Sequence, residues 1–444
     1  MSTKSDVLVL GATGFTGRLI TQYLCTHRER ASFTLTLAAR NKARLDALVA
    51  DCELGSGVTL LVVDVTRAEQ VEDAVRSARV VLNTVGPFWT WGTPVVKACV
   101  KYGVHCTSSQ HRAPFPDSLA DVDLTGETEW IKRIIIMCDY PATKTGAIIV
   151  PSCGFDSVPA DITTYLASQT LHAISGTPLD IDTSVTAYAF RGGFSGGTVA
   201  TAITQIEQMP ADKRAEAAAD YSLSPVLGRP SPRPPLIYRL VLPDTRRTLV
   251  GAFFFMRPSN RAVVQRTVRY GPAFTYDEFM VTGGAVSALV VTFGLVVSFG
   301  CMMISPLRWL LKKVLPQPGE GPSESVRKNG FMKVTNLTTS AHPPIQVKTT
   351  MQGAGDPGYS LTSVIISEAA LALALTPPEA LPPLARRGGV LTPATALGDV
   401  LVARLKASGR VEFESTVVAG LGRWRWRRRG GRMFEVGPDA GTLI

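Results

Sequence analysis

Short apolar runs alternate with longer amphipathic stretches through the first third of the chain. Val7–Leu8–Val9–Leu10 is four apolar residues ended by a glycine, the pattern of a strand buried on both faces. Phe15, Leu19, Ile20, Tyr23 and Leu24 follow at helical spacing. Phe33–Ala39, Val58–Val63, Val80–Val85, Val104–Cys106 and Ala147–Pro151 read as further strands, with helices over Pro94–Tyr102, up to about Cys138 and from about Ala160. This rhythm predicts an α/β fold whose first part, residues 1–175, is a doubly wound parallel sheet. Residues 107–121 break it: they are polar, carry Pro114 and Pro116, and have no period, so they read as a loop. From 176 to 414 the pattern changes to that of an α+β domain. Ile181–Phe190 alternates as a strand, a glycine-rich turn at Gly192–Thr198 opens a helix over Val199–Gln208, and Pro225–Pro235 is a proline-rich connection. The turn reads either as a plain flexible loop or as a helix N-terminus holding an anionic group of a substrate. From Ser415 to Ile444 the chain is basic, with Arg423–Trp424–Arg425–Trp426–Arg427, and shows no fold period.

The glycines give the first chemistry. Gly11, Gly14 and Gly17 stand at spacing three between the first strand and the first helix. In that context they are the turn of a dinucleotide-binding, Rossmann-type unit. One permits the sharp turn, one the approach of backbone N–H groups to a pyrophosphate, and one close packing of helix on strand. Gly11, Thr13, Gly14, Phe15 and Gly17 are therefore candidate cofactor residues. The end of the second strand, where such folds read the adenosine ribose, runs into Arg40–Asn41–Lys42–Ala43–Arg44. A cation there accommodates the 2′-phosphate of NADP, whereas NAD calls for an acid; Arg40 thus points to NADP. Asp64 ends the third strand beside the adenine. Asn83, Gly86 and Pro87 end the fourth, beneath the nicotinamide ribose.

A second feature is hydropathic. Phe279–Leu307 contains no charged residue over 29 positions, and Arg308, Lys312 and Lys313 follow it. About 20 apolar residues span a bilayer. A single crossing, however, would separate 308–444 from the nucleotide domain. The stretch is expected to dock into one leaflet or to form a buried interface helix. Net charge is +10, but six Arg against Glu435 and Asp439 in the last 30 residues account for much of it; this is no nucleic-acid signature. Seven scattered Cys without a C-x-x-C pair suggest reduced thiols and a cytosolic face. The first strand starts too early to leave room for a leader peptide. No H-E-x-x-H motif or paired-Cys ligand set suggests a metal, and five His show no ligand spacing.

Gly-Ala-Thr-Gly-Phe-Thr-Gly, Asn-Thr-Val-Gly-Pro-Phe, Asp-Leu-Thr-Gly-Glu and Pro-Ser-Cys-Gly-Phe-Asp-Ser-Val-Pro-Ala-Asp resemble the saccharopine dehydrogenase-like oxidoreductases, in the branch of the trans-acting enoyl reductases of polyketide and lipid assembly. The similarity extends over about residues 6–410. Against that family, 107–121 looks inserted and the chain after about Phe413 does not match. The resemblance implies an enoyl reductase in which NADPH gives a hydride to the β-carbon and an acid protonates the α-carbon. It also implies an apolar or carrier-bound substrate and a polyketide synthase partner. Cys153 and Asp156 follow a strand where a crevice residue would lie, so either is a candidate acid; the alternative is that Asp156 only caps the next helix. Two rival readings stay open: a non-catalytic NADP-binding protein of lipid droplets or membranes, and a saccharopine-type reductase. A membrane-associated place on the cytosolic face, at a lipid droplet or the endoplasmic reticulum, follows from the apolar stretch.

Overall fold

Two seven-stranded sheets organise the computed structural model, which describes residues 4–52, 57–86, 88–108, 128–192, 211–267, 274–314, 321–419, 425–429 and 432–436. The first contains β1 (Ser5–Leu10), β2 (Leu35–Ala39), β3 (Val58–Val62), β4 (Ala78–Asn83), β5 (His105–Ser108), β6 (Ile148–Val150) and β13 (Gly389–Val390). Its order is β13-β6-β5-β4-β1-β2-β3 and every pairing is parallel. The expected doubly wound sheet is therefore present. Successive residues of β1 serve opposite faces. Val7 and Val9 pack with Ile20 and Leu24 of helix α1 (Phe15–Cys25) and with the apolar helix Thr362–Leu375. Leu8 and Leu10 pack with α3 (Ala68–Arg76), α4 (Phe88–Tyr102) and α5 (Thr128–Thr145) on the other face. Helix α2 (Lys42–Asp51) starts at Asn41, whose side chain accepts the Arg44 N–H at 3.1 Å.

The chain divides in space differently from the sequence boundary at 175. Residues 176–414 build the second sheet, but Thr362–Leu375, β13 and the helix Gly398–Ala407 return to the nucleotide layer. A buried carboxylate fastens them there. Glu368 accepts hydrogen bonds from Tyr23 Oη (2.5 Å) and Arg404 Nε (2.8 Å) and meets His27 Nε2 at 2.9 Å. Arg404 also pairs with Glu29 at 2.7 Å. Helix α6 (Val158–Ser175) crosses from the first sheet to the second.

The second sheet comprises β7 (Ile181–Arg191), β8 (Tyr238–Val241), β9 (Thr248–Phe253), β10 (Thr275–Val281), β11 (Phe331–Ser340), β12 (Gln346–Ala354) and β14 (Val411–Ala419), in the order β14-β12-β11-β7-β10-β9-β8. β7 and β10 run parallel and the other neighbours antiparallel.

Several expectations need correction. α5 continues past Cys138 to Thr145 with Pro141 inside it. The loop cannot start at 107, because Thr107 and Ser108 are the last residues of β5, paired with Leu82 and Asn83; 109–121 lie outside the described residues. The tail does not start at Ser415. β14 runs on to Ala419, with Val411, Phe413, Ser415 and Val417 turned inward in alternation, and the Ser415 hydroxyl lies 2.7 Å from that of Thr170. A period of two was hidden there by Glu412, Glu414 and Thr416 on the outer face. Beyond it, β15 (Arg425–Arg429) and β16 (Arg432–Val436) pair antiparallel around a Gly-Gly in the sequence, a hairpin signature. Near the end of the second half, the helices Pro393–Ala396 and Gly398–Ala407 meet at Leu397. The turn after Gly192 and the helix after it lie outside the described residues. Gly192 itself is tightly placed: a Cβ there would sit 2.1 Å from Asp356 Oδ1.

Candidate active site

The glycine turn does what its spacing implies. Gly11 follows β1 with φ +90°, a left-handed conformation that glycine adopts without strain, and a Cβ there would lie 2.6 Å from Thr84 Oγ1. A Cβ on Gly17 would lie 2.2 Å from the Gly11 carbonyl oxygen, so only glycine lets α1 press against the end of β1. Gly14 closes the turn through its N–H on the Gly11 carbonyl (3.0 Å) and is the N-cap of α1, where no side chain caps the helix. The first N–H groups of a helix have no partner within it. Those of α1 therefore point out from the carboxyl end of the sheet, ready for an anion. Thr13 stands in the same turn, half-buried. Phe15 opens the helix, but its ring turns toward the second half of the chain: it meets Tyr359 edge-on at 5.1 Å, and the Arg327 guanidinium lies 5.5 Å from its centre.

Arg40 is exposed at the end of β2, close enough to Asp64 and Arg44 for both to act on its charge. The Thr66 amide, its hydroxyl and then Arg40 hold the Asp64 carboxyl below its usual range. That carboxylate accepts both Thr66 groups, at 3.0 and 2.8 Å, so Asp64 shapes the loop after β3 and faces Arg40 across it. Asn83 ends β4 fully buried. Its Oδ1 accepts the Val85 N–H at 3.0 Å, while Nδ2 has no partner among the described residues. A buried amide donor left over at the carboxyl end of the central strand is costly unless a ligand takes it. Gly86 is buried beside it; Pro87 lies outside the described residues. An uncapped helix, a glycine cradle, a spare amide and a cation at the second strand together fit a phosphorylated dinucleotide.

The turn after β6 carries both candidate acids, and the structure separates them. Cys153 is fully buried in the core, its N–H bonded to the Ser108 carbonyl at 3.0 Å, and burial raises its thiol far above the usual range. That is the setting of a packing cysteine, and the location corrects the expectation that it borders the crevice. Asp156, in the same turn, keeps 9% of its surface exposed. The turn is held by Phe155 N–H on Thr362 Oγ1 (3.0 Å) and by Ser152 in the left-handed region at φ +59°, an unfavourable conformation for a side-chain-bearing residue.

Behind Asp156 lies a buried polar network that no local motif announces. The Asp156 charge bears on Tyr188 of β7, which is fully buried and whose phenol is held up by burial and then by Glu278. Asn260 Nδ2 donates to Glu278 Oε1 (2.9 Å) and reaches Tyr188 Oη (3.5 Å); Tyr276 Oη donates to Glu278 Oε2 (2.7 Å); the Ser157 hydroxyl donates to Asn260 Oδ1 (3.1 Å). Burial pushes the Glu278 carboxyl up to about 8. Its signal in the sequence was an acidic pair, Asp277–Glu278, inside an otherwise apolar strand. Asp277 is spent on Arg257, but Glu278 points into the sheet–helix interface. Aromatic rings line the other side: Phe155 to Tyr188 at 5.9 Å and to Phe190 at 5.5 Å, and Tyr188 to Phe254 at 4.6 Å.

Comparison with known proteins agrees with this geometry. Residues 7–129 match the family described as the saccharopine dehydrogenase NADP binding domain. A putative trans-acting enoyl reductase of Mycobacterium tuberculosis is 34% identical over 440 residues, covering 93% of this chain and 98% of that protein. A trans-acting enoyl reductase of Mycobacterium ulcerans is 31% identical over 431 residues, covering 91% and 96%. Among solved structures, apo saccharopine dehydrogenase (L-Glu forming) of Saccharomyces cerevisiae covers 94% of this chain and 100% of its own, at 11% identity and a TM-score of 0.49.

Proposed function

The chain belongs to the family of the trans-acting enoyl reductases, NADP-dependent oxidoreductases with a saccharopine dehydrogenase-type nucleotide domain, and from that premise we propose that it reduces the carbon–carbon double bond of an apolar enoyl thioester. When bound, NADPH supplies the hydride that the β-carbon receives. The N-terminus of α1, Gly11, Thr13 and Gly14 hold the diphosphate, with Phe15 and Gly17 fixing how closely the helix approaches. Arg40 takes the 2′-phosphate, Asp64 borders the adenine, and Asn83, Gly86 and Pro87 carry the nicotinamide half. The Asp156 carboxyl holds the proton that the α-carbon receives, so one hydride and one proton saturate the bond.

The observation that carries this reading is the aromatic cluster beside Asp156, in which Phe190 and the edge of Phe155 reach the surface over the buried rings of Tyr188 and Phe254. It suits an acyl chain. A saccharopine-type substrate needs cations for its carboxylates, and the buried arginines nearby are engaged within the protein. Arg257 is spent on Asp277 and the Pro232 carbonyl, Arg261 on Asp220, and Arg266 on the Leu223 and Val390 carbonyls. The relatives are named trans-acting, which supports a partner that is a carrier-bound intermediate of a polyketide or lipid synthase. All seven cysteines are free, in keeping with a site on the cytosolic face of a membrane, at the endoplasmic reticulum or a lipid droplet.

The test replaces Asp156 by Asn and measures turnover of NADPH with enoyl thioesters alongside NADPH affinity. Loss of a positioned acid lowers turnover by about 10²–10⁴-fold, with cofactor affinity unchanged. Undiminished turnover would remove Asp156 from the proton's path.

A further inference from the structure

Among the described residues two helices are long and apolar enough to cross a membrane, and the fold treats them oppositely. The segment Pro357–Leu375 is 83% buried and fills the nucleotide layer. The helix Ala285–Met303, with the higher mean hydropathy of 2.2, is only 6% buried. Ala285, Ser287, Ala288, Val291, Thr292 and Leu295 form one stripe that leans on the protein; Ala288 alone is buried, and Thr292 Oγ1 donates to the Leu236 carbonyl at 3.3 Å. On the other faces Val286 is 77%, Phe293 71% and Val290 66% exposed. Beyond Leu295 every side is open except at Cys301 and Met302, beside the break at Ile304 that leads into the next helix, Ser305–Val314. Arg308 Nη1 reaches across this break to the Met302 carbonyl at 2.7 Å. A helix apolar all round is not built for water.

We propose that Ala285–Met303 and Ser305–Val314 form a monotopic hairpin that docks into one leaflet of a bilayer bearing anionic headgroups. Three observations select this occupant. First, the helix is about 28 Å long and exposes apolar side chains from Val286 to Met303, so lying in one leaflet it sets a long apolar face among the acyl chains. Second, both ends of the apolar element belong to one folded body. It leaves β10 in the second sheet, and by Gly321 the chain is back at the nucleotide domain, where a Cβ would lie 2.3 Å from the Phe15 ring. A single crossing would put those ends on opposite sides of the membrane. A second crossing by Ser305–Val314 would carry Arg308, Lys312 and Lys313 through the hydrocarbon, which is strongly unfavourable. Third, no Asp or Glu occurs between Glu278 and Glu320, while those three cations follow the apolar helix, and Trp309 is 59% exposed among them. Cations draw the surface toward anionic lipid, and tryptophan settles at the interface.

The experiment floats the purified full chain with vesicles of phosphatidylcholine, with and without phosphatidylglycerol, after detergent removal. The chain is expected to float with the vesicles, more so with phosphatidylglycerol. Added protease should then cut both before residue 281 and after residue 321, because both sides face the same solvent. Val290→Glu and Phe293→Glu alter exposed positions and should each lower partitioning by roughly a hundredfold, with melting temperature and NADPH affinity unchanged. NADPH affinity, measured on the same samples, separates failure to dock from failure to fold, and neither readout depends on the substrate reading above. Any of four results overturns the proposal. The first is an intact chain that stays behind with both vesicle types. The second is protection of one side of the chain from protease. The third is flotation of the glutamate variants equal to that of the parent. The fourth is a soluble dimer in the absence of detergent, which would make a second copy the occupant.

Discussion

Arg40 is the residue on which cofactor choice turns. It stands exposed at the end of β2, with Arg44 near it and Asp64 opposite. A 2′-phosphate placed there gains charge-assisted contacts that a bare ribose hydroxyl lacks. NADPH is therefore expected to bind more tightly than NADH, and Arg40→Asp to reverse the order; calorimetry giving equal affinities for the unaltered protein would contradict this. Glu278 makes a second residue-scale prediction. Its carboxyl is raised by burial from an ordinary value to about 8. The native state therefore holds a proton that the unfolded chain has already released between about pH 4.5 and 8. Stability attributable to Glu278 is present below that window and falls as pH rises through it. Asp161, raised to about 6 by burial, acts with the same sign but is exhausted lower. His105, held down to about 4 by burial, acts with the opposite sign up to about 6.5. The thiols of Cys25, Cys99 and Cys153, pushed up by burial, act toward about pH 9, so the share of Glu278 is read from the difference between variant and parent. Glu278→Gln should flatten the decline in melting temperature between pH 6 and 9. Parallel declines in variant and parent would show that Glu278 does not titrate there. Beyond Asp156 itself and the acidic pair at Asp277–Glu278, this network could not be read from the sequence, because Asp156, Tyr188, Asn260 and Glu278 come from four elements and share no local spacing. The glycine turn could be read because strand, turn and helix are contiguous and each glycine has a steric reason within them.

At the scale of elements, the helix Thr362–Leu375 decides how the two halves join. It is apolar apart from Thr362, Ser363, Ser367 and Glu368, and it lies between α1 and the helix Gly398–Ala407. Its composition announces burial, but not against which sheet, since hydropathy carries no address. The address is supplied by Glu368, fully buried against Tyr23, His27 and Arg404. Burial of a carboxylate is tolerable only while its partners remain. Arg404→Ala should destabilise the protein by about 3–5 kcal/mol, and Glu368→Gln with Arg404→Met should recover part of that loss. Denaturant unfolding measures both; an Arg404→Ala loss below about 1 kcal/mol, the level of an exposed ion pair, would mean that apolar packing alone docks the helix. The same lesson applies to β14, where the alternation continues through Ser415 to Val417 under Glu412, Glu414 and Thr416, residues that suit a sheet's outer face.

For the whole molecule, the arrangement is a nucleotide layer closed by returning C-terminal helices, a second sheet bringing aromatic rings to Asp156, and an apolar hairpin projecting from that sheet's edge. On the proposed function, an acyl chain drawn from a membrane and reduced beside it gives each of these a use. The central claim is that this body transfers a hydride from NADPH to an enoyl thioester. The most direct measurement supplies the full chain with NADPH deuterated at the transferable position and a panel of enoyl thioesters of increasing chain length, then analyses the products by mass spectrometry. The account predicts saturated thioesters carrying one deuterium at the β-carbon, with turnover rising as the acyl chain lengthens. Unlabelled, unreduced thioesters across the panel, from protein shown in the same sample to bind NADPH, would contradict it.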